Sequence, residues 1–370
     1  MWKIRQRPTL IAAIGAASAI AWLTSFGAIA GIANADARPT ARSPEWSVVP
    51  SPNAPLHSNE LNGVSCPSAN SCFAVGQIDS VGLVQHWDGR AWSVTPLPHP
   101  NGATSSNLYG VSCPSVHSCF AVGDLVEHWN GSHWAIMVTP IPPAVSILNG
   151  VACPSVKSCF AVGYYANSPT TKRTLVEHWN GTQWSIMASA DPSHALASLF
   201  SLSAVACPSV RSCFAVGDTA ETRVLIEHWN GTNWGLMRTP QPGGQASTHL
   251  SGVACPSTKS CFAVGDAASH GLVEHWNGSA WGIMAGSAAP ALWRGVSCPS
   301  TKSCFAVGTA VRIVGHWNGK TWGKMPVAVG STNISLFDLK GVFCPAGSSC
   351  YAVGNYNAHA PPQTLVARYA

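Results

Sequence analysis

The feature that most constrains this chain is a mismatch in count between two repeated elements. One element, close to G-V-x-C-P-S-x-x-S-C-F-A-V-G, occurs seven times. The other, L-V-E-H-W-N-G-x-x-W, is clearest at Leu175-Val176-Glu177-His178-Trp179-Asn180-Gly181-Thr182-Gln183-Trp184 and occurs six times. Its tryptophans pair at a constant spacing: Trp87/Trp92, Trp129/Trp134, Trp179/Trp184, Trp229/Trp234, Trp276/Trp281 and Trp317/Trp322. Successive first cysteines of the other element lie 47, 40, 54, 48, 43 and 46 residues apart. A period in the forties belongs to propellers or solenoids.

The content of one repeat chooses between them. Leu148–Cys153 and Ser158–Gly163 are short, apolar, turn-bounded runs. Leu175–Trp179 alternates Leu, Glu and Trp on one face with Val and His on the other, and Trp184–Met187 makes a fourth segment. Four short strands without a helical pattern make a propeller blade. We label them a, b, c and d. The a–b connection is Cys-Pro-Ser-x-x-Ser-Cys. The c–d connection is Asn-Gly (Asp88-Gly89 in the first repeat), a dipeptide of tight hairpins.

The seventh repeat has strands a and b, then Leu365-Val366-Ala367-Arg368-Tyr369-Ala370, and stops before strand d. At the other end, Pro44-Glu45-Trp46-Ser47-Val48-Val49-Pro50 reads as an orphan strand d, comparable with Ala91–Pro96. Ring closure accounts for both: the N-terminal strand completes the last blade and removes open sheet edges. A solenoid would need capping repeats instead. The expected fold is therefore all-β, a seven-bladed β-propeller with four antiparallel strands per blade.

The order of apolar strand, V-G, variable stretch and aromatic pair resembles the kelch-type propeller, the kind that galactose oxidase carries. Kelch repeats show a double glycine. Here the single Gly is followed by Gln77, Asp124, Tyr164, Asp218, Asp266, Thr309 or Asn355, and the stapled hairpin is not a kelch feature. The C-x5-C-x-A-V-G pattern is also similar to that of repeat proteins secreted by actinobacteria.

Met1–Arg7 carries Lys3, Arg5 and Arg7 and no acid. A mainly apolar run follows from about Leu10 to Ile32, then Ala33-Asn34-Ala35. This reads as a secretory signal peptide over residues 1–35, followed by a short linker over 36–43 and one propeller over 44–370. The run is also long enough for an uncleaved signal anchor, the alternative to secretion. Cleavage leaves 17 basic residues against 15 acidic ones, which gives no electrostatic case for nucleic acid. In an exported chain the seven C-x5-C pairs read as local disulfides: Cys66–Cys72, Cys113–Cys119, Cys153–Cys159, Cys207–Cys213, Cys255–Cys261, Cys298–Cys304 and Cys344–Cys350. Metal is the rival reading, since each of six repeats also holds a histidine, but zinc sites use tighter cysteine spacing.

The strand-c histidines, His86, His128, His178, His228, His275 and His316, are spread around a ring rather than converging. They read as structural hydrogen-bonding groups. The tryptophans read as fillers of blade interfaces, with stacking on sugar rings as the alternative. Trp293 stands apart, outside the repeat pattern in a d–a connection, and is taken as a functional aromatic.

Strand alternation puts the a–b and c–d hairpins on one face and the b–c and d–a connections on the other. The second face varies in length, and recognition sits on variable loops held by a rigid scaffold. Its binding candidates are Asp124, Tyr164, Tyr165, Asp218, Arg223, Asp266, His270, Trp293, Asn355 and Tyr356. On the constant face, Lys157, Arg211, Lys259 and Lys302 occupy equivalent hairpin positions in neighbouring blades. They form a basic arc suited to anionic envelope polymers or phospholipid headgroups.

No paired-carboxylate arrangement, nucleophile elbow, H-E-x-x-H or phosphate loop is present. The tyrosines cannot be matched to the copper site of galactose oxidase, and every cysteine belongs to a repeat pair. The sequence therefore reads as a secreted, non-enzymatic, monomeric binding propeller with no cofactor and no metal. Its expected partner is a glycan, a cell-envelope polymer or a protein, met through the variable-loop face. The alternative is an extracellular hydrolase, lyase or oxidase with a loop-built site at the propeller axis.

Overall fold

The computed structural model describes residues 44–99, 105–140, 145–168, 171–190, 200–219, 223–242, 247–285, 292–309, 312–329, 336–357 and 361–370. The expected signal peptide and linker, and part of six of the seven d–a connections, lie outside the described residues. Among those described there are 28 strands, and no helix is long and apolar enough to cross a membrane.

The strands form seven blades of four. Blade three shows the pattern: a is Val145–Ser155, b is Ser158–Ser168, c is Thr171–Trp179 and d is Trp184–Met187, all paired antiparallel. Each strand a touches the strands a of both neighbouring blades, and the series closes from blade seven (Leu336–Ala346) to blade one (Asn59–Ser68). The strands a therefore ring the axis. Blade seven is completed as the sequence anticipates. Trp46–Val49 pairs antiparallel with Gln363–Tyr369 in the register Trp46↔Tyr369, Ser47↔Arg368, Val48↔Ala367 and Val49↔Val366. It also meets the far end of strand d of blade six in parallel, at Trp46↔Val327 and Ser47↔Ala328, so blades six and seven join into one eight-stranded sheet.

Strand b is apolar on both faces because each blade is sandwiched between two others. In blade three, Phe160 and Val162 pack into the core shared with blade four, while Cys159 and Ala161 pack into the core shared with blade two. The aromatic residues lock this stack. Phe120 of blade two takes Trp179 at 5.6 Å and Trp184 edge-on at 5.8 Å from blade three. The motif repeats around the ring and across the closure. Tyr351 of blade seven receives Trp87 and Trp92 of blade one, and Phe305 of blade six receives Tyr369 and Trp46. Centroid separations near 6 Å with tilted or T-shaped planes are those at which ring quadrupoles attract.

The repeated turn residues each have a cause. The turn glycines, such as Gly181 at φ +97°, hold a left-handed backbone that other residues adopt at a cost. The preceding Asn180 Oδ1 accepts from the amides of Thr182 and Gln183 at 2.9 and 3.0 Å, closing the turn. The glycine ending strand b is fixed by close approach: a Cβ on Gly163 would stand 1.9 Å from the carbonyl oxygen of Ile147, and the other six blades show the same clash. All seven expected disulfides are formed, each stapling the base of an a–b hairpin. That set fits an oxidising environment.

Candidate functional site

The strand-c histidines are committed within their own blades. Each Nε2 lies 3.0–3.4 Å from the serine that opens strand b, as in His178 and Ser158. Each imidazole also lies over the phenylalanine of strand b at 4.4–4.6 Å. Burial holds all six below the ordinary histidine pKa, so neutral imidazole is favoured. Among the described residues, no three His, Cys, Asp or Glu side chains gather as metal ligands.

Polar side chains instead collect around the axis at the variable-loop end of the blades. Two positions supply them. One is the residue following the strand-b glycine: Gln77, Asp124, Tyr164, Asp218, Asp266, Thr309 and Asn355. The other lies on strand a, at the bulge before or at the start of the strand: Glu60, Asn62, Tyr109, Asn149, His249, Arg294, Asp338 and Lys340. Contacts run from blade to blade. Lys340 Nζ donates to Glu60 Oε2 at 2.8 Å and to Asn62 Oδ1 at 3.2 Å. Asn62 Nδ2 donates to the carbonyl of Leu108, and Asn149 Nδ2 to that of Leu202, both at 2.8 Å. His249 Nδ1 is 3.5 Å from Asp218 Oδ2. Thr309 Oγ1 donates to Asp338 Oδ1 at 2.8 Å and accepts from Arg294 Nε at 3.3 Å. Lys172 Nζ stands 4.1 Å over the ring of Tyr164.

The electrostatics of this mouth are mixed. Burial raises the Asp218 carboxyl above its usual pKa, with His249 pulling it back. Burial, and then the negative charge of Asp124, raises the Tyr109 phenol. The result is a ring of carboxylates, cations, amides and phenols at the open end of a rigid channel wall.

Five of the sequence candidates, Asp124, Tyr164, Asp218, Asp266 and Asn355, share this level. Asn355 is buried, and its Oδ1 has no partner among the described residues. Tyr165 and Tyr356 are one residue further along and pack partly against blade cores. Arg223 is exposed on the b–c connection of blade four, and His270, also exposed, opens strand c of blade five with its Nδ1 2.9 Å from the carbonyl oxygen of Ala268. Trp293 requires a correction. It is on strand a of blade six, opposite Gly308, where the other blades carry Leu61, Leu108, Leu148, Leu202, Leu250 and Leu339. It is 3% exposed and joins the core between blades five and six, so it is a packing residue rather than a loop aromatic. Its indole fills the space over Gly315, the position that holds Gln85, Glu127, Glu177, Glu227 or Glu274 elsewhere.

Those strand-c glutamates escaped the sequence reading. They are buried, and they face the preceding blade. Glu227 accepts from Ser189 Oγ at 2.8 Å and from the Ala190 amide at 3.1 Å, both beyond strand d of blade three. Neither carboxylate oxygen of Glu127 or Glu274 meets a donor among the described residues. Burial pushes Glu127 and Glu177 up to about 7 and Glu274 up to about 8. The basic-arc residues lie exposed at the opposite end of the blades, far along the strands from the mouth.

No protein-family model matches the chain, and no curated protein matches it. Solved structures do. YCF48 bound to a D1 peptide superposes with a TM-score of 0.60 at 12% identity, over 88% of this chain and 94% of that one. Virginiamycin B lyase from Staphylococcus aureus gives 0.63 at 9% identity, over 89% and 99%. The Swd1 β-propeller domain gives 0.56 at 10% identity, over 88% and 99%. At these identities the likeness is one of fold, and it agrees on the β-propeller. The set includes both a peptide-bound protein and an enzyme.

Proposed function

We propose that this protein is an exported binding propeller that takes a polar segment of a cell-envelope glycan or protein at the axial mouth of its variable-loop face. One observation carries the reading. Seven equivalent positions after the strand-b glycines place polar or aromatic side chains around one axis, and strand-a residues interleave cations and amides between them. Such a ring offers hydrogen-bond donors, acceptors and stacking faces to one ligand, as recognition sites on rigid scaffolds do. The peptide bound to the YCF48 propeller is a precedent for occupancy of this fold by a chain segment.

The reading includes removal of residues 1–35 as a signal peptide, a linker over 36–43, a monomeric propeller and kinship with kelch-type repeats. The basic N-terminus and apolar run of the sequence support the first, and the seven disulfides agree with export. The V-G and tryptophan-pair pattern supports the last.

The test is a binding screen of the purified protein against glycans, envelope polymers and peptides, repeated with Asp218→Asn/Asp266→Asn and with Tyr164→Ala. Loss of about tenfold or more in affinity, with unchanged thermal stability, is the expected result. A ligand bound equally well by all three proteins would place recognition elsewhere.

A second reading rests on the His249–Asp218 pair. An imidazole beside a partly buried carboxylate can act as an oriented general base. The virginiamycin B lyase neighbours include a histidine-to-alanine form described as catalytically inactive. Turnover of an envelope polymer that is abolished in His249→Ala, with binding retained, would favour this lyase-type reading over simple binding.

A further inference from the structure

The constant face carries a second surface, independent of the axial mouth. We infer that this face docks on an anionic lipid bilayer. Charge is the first argument. The a–b and c–d hairpins of blades three to six contain Lys157, Arg211, Lys259, Lys302 and Lys320 and no acidic residue. None of these five side chains has an ion-pair partner among the described residues, and the four of the a–b hairpins are exposed. The acids of this face, Asp88 and Glu45, belong to blades one and seven. Residues 36–370 carry 17 basic against 15 acidic side chains, so this is a sorting of charge onto one side rather than a global excess.

Shape is the second argument. Seven hairpins of one length are stapled at one place and arranged on a closed ring. Their tips are also held from behind. The strand-c indoles donate from Nε1 to the tip carbonyls: Trp179 to Val156, Trp229 to Val210, Trp276 to Thr258 and Trp317 to Thr301, each at 3.3 Å. The cation stems lie against the neighbouring turn glycine, where a Cβ on Gly181 would be 3.3 Å from Lys157 Cβ. A row of charges held at equivalent positions around a ring suits an extended charged surface.

Apolar exposure decides between a bilayer and a soluble polyanion. Val116, Val156 and Val210, immediately before the fifth tip position of blades two, three and four, are 41%, 45% and 46% exposed. A phosphate polymer offers those valines nothing. The headgroup–acyl boundary of a bilayer takes both the valine and the adjoining cation. The polypeptide also enters the propeller on this side, where the Glu45 amide donates to the Ala370 carbonyl at 3.3 Å.

The test is sedimentation of the full-length protein with vesicles of phosphatidylcholine, with and without phosphatidylglycerol, at low and high salt. Binding should require the anionic lipid and weaken with salt. Substituting Lys157, Arg211, Lys259 and Lys302 together by Gln should cost about fivefold per cation, nearly three orders of magnitude in total. Val156→Ser/Val210→Ser should weaken binding about fivefold per valine at unchanged charge. Both variants alter exposed tips, so their melting temperatures should match the parent. Absence of vesicle binding, or vesicle binding untouched by the quadruple variant, overturns the inference. So does soluble polyphosphate that binds with the same affinity and leaves vesicle binding indifferent to the valine changes.

Discussion

Trp46 packs edge-on against Phe305, with ring centroids 5.9 Å apart and planes at 72°. The first of these rings opens the N-terminal strand. The second lies in strand b of blade six. The contact reproduces, across the join of the chain, what Trp184 and Phe120 do within the continuous run of blades. Closure is thus made by the same Phe–Trp pair that stacks blades one to six on one another, and Trp46 is fully buried in making it.

Trp46→Ala should therefore destabilise the whole ring and not only its last blade. The cost of removing a fully buried tryptophan is about 3–5 kcal/mol. Thermal unfolding should show one transition at clearly lower temperature, and deletion of residues 44–50 a larger drop. Unchanged stability in both would refute closure by this strand.

The buried glutamates give the stability a definite pH dependence. Their folded pKa values, about 7 for Glu127 and Glu177 and about 8 for Glu274, lie above the ordinary 4.5. The folded state thus holds protons that the unfolded chain releases. The stabilisation from these sites is complete below about pH 4.5 and is lost as pH rises through 7 to 8. Blade one already carries the neutral counterpart, Gln85, whose Nε2 donates to the Pro52 carbonyl at 2.8 Å. The variant Glu127→Gln/Glu177→Gln/Glu274→Gln should melt higher than the parent at pH 8, by on the order of a few degrees per site. The difference should shrink towards pH 5. A gap that is constant with pH would show that the carboxyls are ionised in the fold. The six histidines titrate in the opposite sense but are common to both proteins, so the difference isolates the glutamates.

Trp293 and Gly315 should behave as a coupled pair. A Cβ on Gly315 would stand 2.9 Å from the Trp293 ring, so Gly315→Glu alone should cost about 1–3 kcal/mol through overpacking. Trp293→Leu/Gly315→Glu restores the pairing of blades two to five and should recover most of that loss. Additive effects in denaturant unfolding would mean the two residues do not share one space.

The disulfides should map as seven local loops. Peptide mapping without reduction should recover Cys66–Cys72 and its six counterparts, with no bridge between repeats. Replacing one pair, Cys207→Ser/Cys213→Ser, should cost about 2 kcal/mol, as expected for so short a loop, and leave the neighbouring blades formed.

The sequence by itself determined the architecture. Seven cysteine pairs against six tryptophan pairs state the blade number and the closure, because strand length, turn chemistry and apolar alternation are local properties that repeat with the chain. The positions after the strand-b glycines were legible for the same reason. The Trp293 misreading has a physical cause. Leu at that site is exchanged for Trp, and the space comes from Gly315, on a different strand; only the register of the sheet shows that two departures from the repeat are one.

Tertiary structure alone decided the mouth. Lys340 reaches Glu60, and Asn62 reaches Leu108, across blade boundaries. Asn62, Tyr109 and Lys340 fall at a bulge that carries no motif, where the seven repeats hold Asn62, Tyr109, Asn149, Ser203, Ser251, Arg294 and Lys340. Ring closure brings the last blade against the first, and without it these side chains are unrelated positions in a chain. The buried glutamates were hidden likewise. The Glu in L-V-E-H-W shares a strand face with Leu and Trp, and what buries it is a neighbouring blade that only the fold supplies.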